Sequence, residues 1–230
     1  MNQLILDNQI DTIYRESFFS LKMICQHLKI WDSYSDEEKF NIETLTRRDS
    51  LINGHFKYKK DYNDLLVYGE LSKLGVSTLY SHIKNNKEVT NKDVFIDVGS
   101  GLGKLILHLG IISDFKTLVG VEYSDIRYKY SKHLQEKVGL IDKGIFLFNK
   151  DVVDFDLSIS TVVFCNNVTW SNDFCESIWE RIPKGCHYIT YKPVSNFIHQ
   201  EIIELQTTWM VPKKGNVKKP GVSEFYYYIK

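Results

Sequence analysis

The stretch Val94–Lys104, VFIDVGSGLGK, constrains this chain more than any other. Apolar and β-branched residues lead into Asp97, and glycines then stand at every second position, Gly99, Gly101 and Gly103. An apolar run from Leu105 to Ile112 follows at once. This pattern predicts a strand, a tight turn and a helix. The glycines let the backbone turn sharply, and they let a ligand lie against it without interference from a Cβ. The first turn of the helix presents N–H groups that the helix itself cannot satisfy, which suits an electron-rich ligand. Asp97 falls at the end of the strand, where open α/β sheets bind their ligands.

Around that stretch the pattern alternates. Strands are expected at Val94–Val98, Leu118–Glu122, Ile145–Asn149, Thr161–Cys165 and Cys186–Tyr191, with helices at Lys104–Ile111, Asp125–Val138 and Asp173–Arg181. Such alternation implies parallel βαβ units and an α/β fold. The tail differs: Ile202–Val211 and Ser223–Ile229 are joined by a basic Gly/Pro loop with no helix, so they should pair antiparallel. Five alternating strands and a closing hairpin resemble the seven-stranded, Rossmann-like sheet of class I methyltransferases, which bind S-adenosylmethionine.

Residues 1–85 contain no proline and read as helical. Apolar residues at Ile13, Phe18, Leu21, Ile24, Cys25 and Leu28 predict a helix over Asp11–Leu28. Ser35 followed by Glu38 is a capping-box start, Asn53-Gly54 a turn, and about Gly75–Ile83 another helix. No linker separates this half from the glycine motif. The expected organisation is an N-terminal helical subdomain, 1–85, packed on a cofactor-binding domain, 86–230.

Charge narrows the function classes. The chain carries 29 basic and 29 acidic residues, whereas a protein that grips nucleic acid mainly by charge has a basic excess. Basic clusters remain at Lys57, Lys59 and Lys60 and at Lys213, Lys214, Lys218 and Lys219. The four cysteines, Cys25, Cys165, Cys175 and Cys186, show no C-x-x-C spacing and read as reduced core thiols of an intracellular protein, with no metal site. No apolar run reaches the length of a membrane span, and the amino terminus lacks the basic start and cleavage site of a signal peptide.

The spacing G-x-G-x-G, with Asp97 before it, favours a methyltransferase over the G-x-G-x-x-G of dinucleotide-binding dehydrogenases. Glu122 ends the second strand, 19 residues after Gly103, where an acid can accept hydrogen bonds from both ribose hydroxyls of an adenosine. Asp151 follows the third strand and could reach an adenine amino group; Asp154 and Asp156 lie close enough to compete for that role. The fourth strand runs into Asn166-Asn167-Val168-Thr169-Trp170. An Asn there can orient an attacking nitrogen, and an aromatic can wall a channel. The stretch has no proline, unlike the [DN]-P-P-[FYW] motif of enzymes that methylate exocyclic base amines.

Tyr68-Gly69-Glu70, FIDVGSGLGK, GVE, KD, VVFCNNVTW, YKPV and the terminal KPGVSEFYYYI, in that order, resemble the Dot-one (disruptor of telomeric silencing) family. These are the non-SET histone lysine methyltransferases. The resemblance covers about residues 65–230. It implies a domain that uses S-adenosylmethionine to methylate a lysine in the globular core of the third nucleosomal histone. Tyr68 and Glu70 would belong to a loop closing over the cofactor. Asp97, Gly99, Gly101 and Gly103 would hold its methionine end, Glu122 its ribose and Asp151 its adenine side, with Lys104 beside the cofactor. Asn166 would lie beside the transferred methyl, with Trp170 in the channel.

Five positions depart from the family pattern. Lys104 stands where the family has Gln, Val168 and Trp170 replace two Phe, and Val152 replaces the Phe after the adenine-side Asp. In the final strand Glu224 falls where a channel-lining Tyr is expected, so either Tyr226 takes that place or the channel is acidic. The implied partners are a nucleosome or core histone, with DNA phosphates contacted through Lys213, Lys214, Lys218 and Lys219. A monomer in the nucleus, with no membrane association, is expected. Methylation of nucleic acid or of another protein, or a cofactor fold without catalysis, are the alternatives.

Overall fold

A computed structural model of the chain describes residues 3–15, 21–39, 70–168, 170–195, 197–212 and 218–230. Its centre is one sheet of seven strands: β1 (Val94–Val98), β2 (Thr117–Glu122), β3 (Ile145–Asn149), β4 (Val162–Cys165), β5 (His187–Thr190), β6 (Glu201–Pro212) and β7 (Lys218–Ile229). They lie in the order β3-β2-β1-β4-β5-β7-β6. The first five are parallel, and β7 runs antiparallel to both β5 and β6. This is the Rossmann-like α/β sheet that the alternating pattern implied.

The central strands read as apolar runs because helices cover both their faces. All four residues of β4 and of β5 are buried. On one face, Phe95, Leu118, Phe164, Phe225 and Tyr227 share a core with α3 (Lys73–Asn86), α4 (Lys104–Ile112) and α5 (Asp125–Lys137). On the other, Ile96, Val98, Val163, Tyr188 and Tyr228 pack with Ile178 and Trp179 of α6 (Asn172–Arg181).

The amino-terminal region differs from expectation. The helix predicted over Asp11–Leu28 is instead α1 (Gln3–Tyr14) and α2 (Leu21–His27), with residues 16–20 outside the described set. Apolar periodicity alone could not place the end of α1 at Tyr14, since residues of both helices bury on one core. α1 packs on α4 and α2 on α5, and Ile13, Ile24 and Cys25 join the first core. The capping box is formed: Ser35 N–H and Oγ–H donate to Glu38 Oε2 at 2.7 and 2.8 Å. Asn53-Gly54 and the lysines at 57, 59 and 60 lie outside the described residues.

The hairpin is longer than expected. β7 begins at Lys218, so Lys218 and Lys219 belong to the strand, opposite Pro212 and Val211, while Lys213 and Lys214 lie outside the described residues. α3 is fastened to β6 at its start. Ser72 caps it and donates its Oγ–H to Gln206 Oε1 at 2.6 Å. A Cβ on Gly75 would fall 2.1 Å from the Gln206 carbonyl oxygen, so only glycine allows so close an approach. All four cysteines are free and buried. Among the described residues no helix is long and apolar enough to cross a membrane.

Candidate functional site

The glycine turn joins β1 to α4. Gly99, Gly101 and Gly103 take φ of 79°, 56° and 76°, a left-handed conformation that side chains disfavour. The N–H groups of Gly99 and Ser100 donate to the Val121 carbonyl at 2.9 and 3.0 Å. The remaining tie is Glu122. Its Oε2 accepts from Gly101 N–H and its Oε1 from Ser124 N–H, each at 2.8 Å. Glu122 therefore locks the glycine turn to the β2–α5 turn. Each carboxylate oxygen has a further lone pair for an outside donor.

Neighbours press on two of the glycines. A Cβ on Gly103 would lie 2.9 Å from the Ser131 Cβ, and one on Gly99 would lie 3.3 Å from Trp170 Cζ2. The second distance brings Trp170, from the β4 loop, against the glycine turn from β1.

Charges concentrate below this turn. Asp97, Lys104, Glu122 and Arg127 are all buried. Burial, with Glu122 adding to it, pushes the Asp97 carboxyl up to about 8. Burial lowers the Arg127 guanidinium, and the charges of Glu122 and Glu70 oppose that. Arg127 was not among the residues the sequence singled out. The signal was present: it shares a helix face with Tyr130, Ser131 and Leu134, all buried. A charge on a core-facing stripe calls for buried partners.

Lys104, the first residue of α4, pairs with Glu70 at 3.0 Å, the two side chains being 3% and 11% exposed. Burial raises the Glu70 carboxyl; the Lys104 charge and hydrogen bond and the Arg127 charge pull it back. Glu70 is held in turn by β6, where Thr208 N–H donates to its carbonyl at 2.8 Å. Tyr68 and Gly69, the other members of the tripeptide, lie outside the described residues.

The β4 loop is built on Asn167. This fully buried residue donates from Nδ2 to Cys175 Sγ and accepts at Oδ1 from Lys192 N–H, at 2.9 and 2.8 Å. Lys192 Nζ also donates to the Trp170 carbonyl at 2.6 Å. Sequence reasoning marked Asn166 and Trp170 and passed over Lys192. Asn166 is half-buried just after β4, and Trp170 is half-buried, its ring edge-on to Phe174 at 4.9 Å. Asp151 caps its own turn, accepting from Val153 N–H at 3.0 Å. It stands next to the tip of β2, because Lys150 N–H donates to the Glu122 carbonyl. Asp154 and Asp156 are exposed.

Strand register separates the two channel candidates. Val98, Cys165, Thr190 and Tyr226 lie in one row across β1, β4, β5 and β7. Tyr226 is thus level with the strand ends that carry the site, half-buried, its ring 5.1 Å from that of His199. Glu224 lies beyond the β5 pairing, exposed and directly opposite Glu204 of β6. β4 and β5 stand between β7 and the glycine turn.

Comparisons with known proteins agree with this architecture. The RNA methyltransferase from Salinibacter ruber, solved with S-adenosyl-L-homocysteine, superposes with a TM-score of 0.50 at 18% identity, covering 66% of this chain and 89% of that one. At that identity the likeness is one of fold. A Drosophila melanogaster protein, histone-lysine N-methyltransferase, H3 lysine-79 specific, is 29% identical over 126 residues, covering 50% of this chain. The match spans 7% of that relative's length. The family model described as histone methylation protein DOT1 matches residues 55–222. That range takes in the Glu70–Lys104 pair, the glycine turn, Glu122 and the β4 loop, and the chain belongs to the DOT1 family.

Proposed function

We propose that this protein transfers the methyl group of S-adenosylmethionine to a lysine side chain in the globular core of a nucleosomal histone. The observation that carries the reading is the cradle itself, in a chain of this family. Left-handed glycines, the buried acids Asp97 and Glu122 and the Lys104–Glu70 pair all converge on the carboxyl end of β1. The cradle suits the cofactor. Glu70 Oε1 is buried with no hydrogen-bond partner among the described residues, an acceptor that the cofactor's ammonium would satisfy. The low glycine backbone leaves room for the methionine end.

The cofactor supplies a sulfonium methyl group. The residues of the chain supply alignment and exclusion of water. Tyr68, Glu70, Asp97, Gly99, Gly101, Gly103 and Lys104 hold the methionine end, Glu122 the ribose and Asp151 the adenine side. Asn166 orients the incoming amine, which must arrive without its proton, and Trp170 walls the channel. Tyr226, level with the strand ends, is the better channel residue; Glu224 then faces the approaching substrate. The segment 1–85 forms a helical subdomain contributing the closing loop to the domain 86–230. The enzyme acts as a monomer on chromatin in the nucleus, and Lys213, Lys214, Lys218 and Lys219 contact DNA phosphates.

The test is incubation with methyl-labelled S-adenosylmethionine and separate pools of nucleosomes, free histones and RNA. Label should enter a nucleosomal histone. Asn166→Ala should abolish turnover while weakening cofactor binding only modestly. Label confined to RNA, or full turnover by the Asn166→Ala variant, refutes the reading.

A further inference from the structure

We propose that Tyr14, on the N-terminal helix α1, is a positioning residue for the cofactor site, acting through the Lys104–Glu70 pair. The proposal rests on the methyltransferase reading above. Its basis is one cluster of contacts. The Lys104 ammonium lies 5.9 Å from the centre of the Tyr14 ring, and Lys73, at the start of α3, lies at the same distance from that ring. Lys73 is also paired with Asp11, one turn before Tyr14 on α1. The Tyr14 hydroxyl is 3.1 Å from His108 Nδ1, one turn beyond Lys104 on α4.

One face of α1 therefore ties together the starts of α3 and α4. Those two starts frame Glu70: Lys73 follows it by three residues, and Lys104 holds its carboxylate. Lys104 is a long, flexible side chain, and burying its charge demands fixed partners. Glu70 fixes the ammonium from one side and the Tyr14 ring face from another. Burial keeps His108 low, at about 4, so that imidazole stays neutral and does not repel Lys104. Without the ring, the Lys104 head gains room to swing, and Glu70 loses its fixed place beside the glycine turn. This gives the N-terminal helix α1 a part in the cofactor site alongside Glu70 and the sheet residues.

The test is calorimetric binding of S-adenosylhomocysteine to the full chain, with thermal melts to show that each variant is folded. Tyr14→Leu should weaken binding about tenfold, the scale of a desolvated cation–ring contact. Tyr14→Phe keeps the ring and should bind within about twofold of wild type. In a Lys104→Met background, Tyr14→Leu should have no further effect. A role limited to packing α1 would lower the melting temperature of both Tyr14 variants and leave affinity unchanged, which overturns the proposal. Equal losses of affinity in the Phe and Leu variants overturn it too, since the ring would then not be the active part. Failure of the wild type to bind S-adenosylhomocysteine refutes the cofactor reading itself, a result separable from both.

Discussion

Asp97→Asn should make the folded state less sensitive to alkali, by an amount the structure fixes. The carboxyl is buried and rises from 3.8 to about 8, burial being the larger cause and the Glu122 charge the smaller. Between those values the folded chain holds a proton that the unfolded chain has released. Stability therefore falls as pH rises through this window, at about 1.4 kcal/mol per pH step. From pH 5 to pH 7 the loss is about 3 kcal/mol, with both limits inside the window. Asn is near in shape and cannot titrate. The melting temperature of wild type should thus drop relative to Asp97→Asn by roughly 6–12 °C over that range, at about 2–4 °C per kcal/mol for a chain of this size. The difference matters, not the wild-type curve. His82, His108 and His187 are all held low, chiefly by burial, and such groups raise stability with pH up to their ordinary value near 6.5. They are common to both proteins and cancel. The assay is paired denaturation curves at pH 5, 6, 7 and 8. A gap that stays constant across these pH values would mean that Asp97 is already ionised at pH 5, and the account of its burial would be wrong.

Two further substitutions test the frame around the site. Gly103→Ala places a Cβ 2.9 Å from that of Ser131 at a φ of 76°; a stability loss of about 1–3 kcal/mol should appear in urea unfolding. Lys230→Met removes an ammonium that donates to the Trp179, Glu180 and Ile182 carbonyls at 2.7, 2.9 and 2.8 Å. That cap on the end of α6 should be worth about 1–3 kcal/mol, read as a lower melting temperature.

The sheet was legible because its strands are short apolar runs between clear helix starts. Ser124 and Ser171 each cap the helix that follows, and β1, β2 and β3 sit within a residue of where the sequence put them. Local chemistry decided less well elsewhere. Apolar spacing did not show that α1 ends at Tyr14, because α1 and α2 both carry core-facing apolar residues. The hairpin ran past its expected limit since ladder pairing continued through Pro212 and Pro220, residues that read as loop. At the site, sequence spacing found the residues near the glycine turn and at the strand tips. It missed Lys192 and Tyr14, whose contacts lie 22 or more residues away along the chain, and Arg127, which faces both the nearby Glu122 and the distant Glu70.

The departure at Lys104 acquires a physical reason once those partners are seen together. Glu70, Lys104, Glu122 and Arg127 bring two negative and two positive charges into one buried region. Asp97 adds a fifth ionisable group, held protonated near neutral pH. Acids and bases are thus matched two against two, an arrangement in which buried charge is less costly. A neutral Gln at position 104 would leave two acids facing one base, Arg127. The proposed cofactor carries a net positive charge, from its sulfonium and ammonium less its carboxylate. Asp97, a buried carboxyl raised to about 8, would be able to offset that charge by giving up its proton. Lys104 thus sets a positive charge 3.0 Å from Glu70 in a buried setting, a partner that a neutral Gln could not supply.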